Sequence, residues 1–161
     1  MKKLLLAAVM AVASISLAVA QPRAIGGNIG SGVGFSYQHS IGATNMVDLA
    51  VNVPMINGFG IGGICTYDWI DPGNTPVPWN NKGEWHWYAG VGGAVGMYGF
   101  SSPSWYVGVA GHIGIEYDFW FPFQLSVDWR PNIGIWGHDG GVDFNQWGLF
   151  DGISIGVRYL F

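Results

Sequence analysis

Charge is what this chain has least of. Only 10% of its residues are Asp, Glu, Lys or Arg, against about 25% in an ordinary soluble domain. A water-facing surface needs charge, so a compact soluble protein is a poor fit. Basic residues are scarcest, six against ten acidic ones, and two of the six are Lys2 and Lys3. With no basic patch, nucleic-acid binding loses its electrostatic attraction, and no nucleic acid is expected as a partner. Cysteine is limited to Cys65. That excludes an internal disulfide and a structural zinc site built on several thiolates. No cofactor and no metal site is expected. Long hydrophobic runs are missing too. Beyond residue 20, glycine and proline interrupt every apolar stretch well short of the roughly 20 residues a spanning helix needs. Helical bundles, coiled coils and disordered tails fit poorly.

Glycine and aromatic residues are abundant: 27 Gly, 9 Trp, 7 Tyr and 9 Phe in 161 residues. The length suits one domain. Residues 1–20 place two lysines before an apolar run from Leu4 and end on Ala18-Val19-Ala20. That is the order of a secretory signal peptide. The expectation is cleavage after Ala20 and a single domain over 21–161. The alternative, an uncleaved anchor helix, is disfavoured by a short apolar run that contains Ser14 and Ser16.

Along the mature chain the dominant pattern has period two. From Phe123 to Ile135, odd positions read Phe123, Leu125, Val127, Trp129, Pro131, Ile133 and Ile135. Even positions read Gln124, Ser126, Asp128, Arg130, Asn132 and Gly134. A strand sends alternate side chains to opposite faces. The segments Ile153 to Phe161 and Trp105 to Phe119 repeat the pattern. A soluble sandwich would turn the apolar face inward, but two features point to the inverse. Eighteen of the 27 glycines are even-numbered, on the polar side, and strand glycine marks places where space is short. Aromatic residues also flank the apolar stretches, as at a membrane–water boundary.

The fold expected is therefore all-β, an eight-stranded antiparallel transmembrane β-barrel with an up-and-down meander. Its apolar band faces lipid and its interior is polar. Closure follows from the backbone, because an unpaired N–H or C=O in hydrocarbon costs several kcal/mol. The strands expected are 24–30, 34–40, 45–53, 58–69, 84–97, 104–118, 122–136 and 147–161. An even count puts both ends in the periplasm with 41–44, 70–83 and 119–121. The connections 31–33, 54–57, 98–103 and 137–146 are then extracellular.

These residues resemble small bacterial outer-membrane β-barrel proteins. The likeness rests on the leader, the alternation and the ending Arg158-Tyr159-Leu160-Phe161. The stretch Phe121-Pro122-Phe123-Gln124-Leu125-Ser126-Val127-Asp128-Trp129-Arg130-Pro131, after Gly114-Ile115-Glu116-Tyr117-Asp118-Phe119, is similar to a porin-like group found in Bacteroidota. The likeness is sharpest in 111–131 and 152–161. It implies the bacterial outer membrane as location. It also implies outer-membrane lipid, the β-barrel assembly machinery and periplasmic chaperones as partners, with Phe161 as the assembly signal. It carries no catalytic residues and names no extracellular ligand.

The candidate site is a polar network in the lumen. His112, Glu116 and Asp118 share the even face of one strand, and His86 and Tyr88 that face of the preceding one. Asp128, Arg130 and Arg158 fall on the same face. A histidine near carboxylates could bind metal or work as an acid–base pair. The favoured reading is structural, because polar groups in a narrow barrel must bond one another. Six acidic residues at even positions (Asp48, Asp68, Glu84, Glu116, Asp118, Asp128) outnumber the two arginines there. Some must then lie near the mouths, bind cations or hold a proton. Lipid-modifying barrels need a serine and a histidine facing lipid. His112 faces inward, and His39, at an odd position, lies near a turn. Gly58-Phe59-Gly60-Ile61-Gly62-Gly63 lacks the following helix of a phosphate-binding loop. Cys65 is expected on the lipid face. The function expected is non-enzymatic: a barrel with a filled lumen and a structural role, or binding through outer loops such as 137–146. The alternatives are a narrow channel for small solutes or ions and a lipid-modifying enzyme.

Overall fold

A computed structural model of the chain describes residues 21–54, 60–72, 82–99, 104–145 and 152–161. The expected signal peptide lies outside the described residues, as do most of 54–57, 70–83 and 98–103 and the start of the strand expected at 147. The described residues form ten strands and no helix: β1 (Gln21–Ile29), β2 (Gly32–Ser40), β3 (Asn45–Pro54), β4 (Gly60–Ile70), β5 (Glu84–Tyr98), β6 (Ser104–Asp118), β7 (Phe123–Trp129), β8 (Asn132–His138), β9 (Gly141–Asn145) and β10 (Ile153–Leu160).

Every pairing is antiparallel. Strands β1 to β6 pair in chain order. The second half of β6 pairs with β7 and its first half with β8. Strand β10 pairs with β7 on one side and β1 on the other, which closes the sheet. Strands β7 and β8 act as one wall stave, and β9 and β10 as another. The result is a closed, eight-stranded antiparallel barrel.

The alternation read from the sequence sets the two faces. In β7, burial alternates at every residue. Among the described residues, all the buried ones but Gly137 are even-numbered: Ser36, Asp48, Thr66, Tyr88, His112, Asp128 and Arg158 among them. The apolar odd-numbered residues stand outside, with Val91, Val107, Val127 and Val157 between 47% and 58% exposed. Cys65 is exposed on this outer wall. No helix among the described residues is long and apolar enough to cross a membrane, a statement that does not bear on strands.

Three details differ from the expectation. The stave expected as 122–136 is interrupted at Arg130-Pro131. Proline has no N–H for the ladder, but its carbonyl still accepts from the Gly111 N–H at 2.8 Å. The faces therefore stay in step across the break. The outer loop expected at 137–146 is corrected. Strand β8 continues to His138, a turn at Asp139-Gly140 follows, and β9 starts at Gly141, whose φ of 141° suits glycine. Asp-Gly between strands is hairpin chemistry. In β9 the parity also reverses. Phe144 lies opposite Ile135 and points out, and Asp143 lies opposite Trp136.

Candidate functional site

The lumen is built from rows in which a glycine on one strand lies between two polar residues on its neighbours. Asp68 pairs with Gly90, and Gly90 with His112. Nothing larger fits at residue 90. A Cβ there would collide with the Asp68 carboxylate and the Tyr67 carbonyl. The gap lets Asp68 of β4 and His112 of β6 meet over β5, with His112 Nδ1 2.9 Å from Asp68 Oδ2. The same construction recurs. Tyr88 pairs with Gly114 and Gly114 with Asp128. The Tyr88 ring lies against Gly114, and its hydroxyl donates to Asp128 Oδ1. Arg158 pairs with Gly26 and Gly26 with Ser36, and Arg158 Nε donates to Ser36 Oγ at 2.8 Å. Lumen glycine is therefore a spacer that lets residues two strands apart bond to each other.

These bridges merge into one ionic tier. Arg158, 1% exposed, also donates from Nη1 to Gln124 Oε1 at 2.9 Å and Ser126 Oγ at 2.7 Å, and its Nη2 lies 3.3 Å from Asp128 Oδ2. Arg130 spans the lumen, from Ser154 of β10 at 3.0 Å to Asp48 of β3 at 3.1 Å. His112 Nε2 lies 3.2 Å from Asp128 Oδ1. Charges taken out of water persist only when paired and hydrogen-bonded. Each charged group of this tier has an ion-pair partner, and the tier draws side chains from β2, β3, β4, β5, β6, β7 and β10, but Asp48 Oδ2, Asp68 Oδ1 and Arg130 Nε have no hydrogen-bond partner among the described residues.

Towards the end that carries Gln21 and Phe161, Arg23 bonds Glu116 across the lumen, donates to Gln38 Oε1 at 2.8 Å and lies 3.8 Å from Asp118. Towards the other end the filling turns apolar. Ala94, Tyr106 and Ala110 are buried with Ile64, Tyr98 and Trp136 packed against them. Tyr98 and Trp136 stack with ring centres 4.9 Å apart. The ring of Tyr98 lies over Gly60 and Gly96, repeating the glycine-spacer device with an aromatic load.

Of the residues singled out from the sequence, Glu116, Asp128, Arg130, Arg158 and His112 are buried in the lumen. Asp118 is partly exposed and accepts from Gln124 Nε2 at 2.9 Å. His86 stands apart. It bonds Asp71 at 2.7 Å beside the mouth and has the exposed Glu84 at 3.6 Å. Phe161 is exposed, and its N–H donates to the Arg23 carbonyl at 3.1 Å. His39 lies on the outer wall, bonded to Tyr37 at 2.8 Å.

The reading by parity missed Arg23, an odd-numbered residue that points inward. The pairing of β1 with β2 shifts register between Pro22 and Ala24. A bulge of this kind re-aims one side chain. Parity alone has no signal for it; Pro22 is the only hint. Asp48, Asp68 and Tyr88 were visible as even positions, but not as partners, because partnership depends on register between strands. No group of three or more His, Cys, Asp or Glu among the described residues is arranged to hold a metal ion. In comparisons with known proteins, the chain matches no family model, no curated protein and no solved structure.

Proposed function

We propose that this chain is an integral barrel of a bacterial outer membrane, an up-and-down meander that crosses the bilayer with a filled, non-conducting lumen. Its role is non-enzymatic, either structural or binding at its outer end. The single observation that carries the reading is the inversion of the barrel. Valine, isoleucine and leucine cover its outside, while Asp128, His112 and Glu116 are 0% exposed inside. A soluble barrel gains nothing from that arrangement, whereas in a bilayer both faces are satisfied. Residues 1–20 support export, and the C-terminal Phe161 supports recognition by the assembly machinery.

Eight strands leave an interior that side chains can fill, and the ionic tier and the aromatic tier support a filled lumen. The Thr66 and Asp128 side chains, each within hydrogen-bond distance of His112, and His112 itself are at most 1% exposed. That burial supports the non-enzymatic reading. Planar-bilayer recording tests the proposal. The purified barrel should insert without a stable open current. A steady ohmic conductance would overturn the filled-lumen reading in favour of a narrow channel.

A further inference from the structure

The ionic tier holds three buried carboxylates, Asp48, Asp68 and Asp128, against two guanidiniums, Arg130 and Arg158. Asp128 lies within ion-pair distance of both arginines, and so does Asp48. Asp68 is different. Among the described residues its one ion-pair partner is His112. Thr66 donates to the same Oδ2 at 3.1 Å, and Oδ1 has no hydrogen-bond partner. The second nitrogen of His112 faces Asp128. Imidazole donates at both nitrogens only when doubly protonated. One extra proton, on His112 or on Asp68, brings the tier to neutrality, and without it one negative charge is left in a dry layer. The one other buried cation nearby among the described residues, Arg23, is taken up by Glu116, on the same strand as His112, so it offers the tier no compensation. From β5 the group facing His112 is the Tyr88 ring, 4.9 Å away between centres, and it is neutral.

We propose that Asp68 and His112 share the proton on which the charge balance of the lumen depends, forming a pH-sensitive latch that ties β4 to β6 over Gly90. The sign follows from the count. The proton-bound pair is the compensated state, so its contribution to stability is present at low pH and is lost as rising pH removes the proton. The unpaired charge then favours entry of water or opening of the wall at β5.

The test uses refolded barrels in detergent micelles: wild type, His112→Gln, and the double variant Asp68→Asn with His112→Gln. The folded fraction at a fixed denaturant concentration is read by gel mobility across and above the range in which free imidazole titrates, about pH 5 to 8. Wild type should lose folded fraction on the alkaline side. His112→Gln should already have lost it at neutral pH and recover in acid, where a proton gained elsewhere in the tier restores the charge balance. The double variant, neutral at both positions, should fold as wild type does at neutral pH and lack the alkaline loss. The double variant lacks both members of the pair, so an alkaline loss that it shares with wild type overturns the latch. So does a His112→Gln barrel that matches wild type, or a double variant that fails to fold. The readout is folded fraction, so the latch and the membrane reading can fail independently.

Discussion

Two glycines on β5, three residues apart and on opposite faces, should respond with opposite sign to the same substitution. Gly90 faces the lumen and Gly93 the outer wall. Neither has a positive φ, so alanine strains neither backbone. In both places alanine reduces the freedom of the unfolded chain, which stabilises by about 0.4–1 kcal/mol. At Gly93 the new methyl would meet only the Gly108 carbonyl oxygen, at 3.7 Å, an ordinary contact, so the gain survives. At Gly90 it would collide with the Asp68 carboxylate and the Tyr67 carbonyl and lie 2.8 Å from Asp68 Cα. Backbone on a paired strand cannot yield as a flexible side chain would, and overpacking of this kind costs about 1–3 kcal/mol. Displacing Asp68 also breaks its contact with His112. The expected net effect of Gly90→Ala is a loss of about 1–2 kcal/mol. Urea titrations of the folded barrel, followed by tryptophan fluorescence, read both variants as shifts in midpoint at constant slope. Midpoints that move in the same direction would refute the glycine-spacer account of the lumen.

Three further substitutions probe the two faces. If the outer wall lies in a bilayer, Val127→Arg or Ile155→Arg should each cost about 2–4 kcal/mol near its midplane; a neutral result in vesicle-folded barrels would mean that this wall does not face hydrocarbon. Arg158→Met should cost about 3–5 kcal/mol in the same titration, because it leaves Asp128 and its hydroxyl partners with a broken buried ion pair. A loss under about 1 kcal/mol, the size of an exposed pair, would show that water reaches this tier.

Much of the fold was legible because period-two alternation is a local property. Phe123 to Trp129 announces its two faces without reference to any other strand, and the closed barrel follows from having no polar surface to spare. The glycine bias at even positions marked the lumen as crowded. What the alternation could not show was who meets whom. Asp68 and His112 are 44 residues apart, and their meeting depends on two successive strand registers, each of which could slip by two residues and keep the faces intact. The bulge at Pro22–Ala24 and the reversal of parity in β9 defeat any reading that counts by two. At 137–146 the Asp139-Gly140 dipeptide was hairpin chemistry. The charged and glycine-rich composition around it suggested a loop, and the strand pairing of β8 with β9 overrode that composition.

The central claim is that the apolar wall is the outer one and lies in hydrocarbon. Trp129, 38% exposed on that wall and paired with Ile113 and Ile153, is the natural reporter. In a variant whose other tryptophans are replaced by phenylalanine, folded into vesicles of lipid brominated along the acyl chain, Trp129 emission should be strongly quenched. Unquenched emission, from a chain that stays monomeric in detergent-free buffer, would contradict the account.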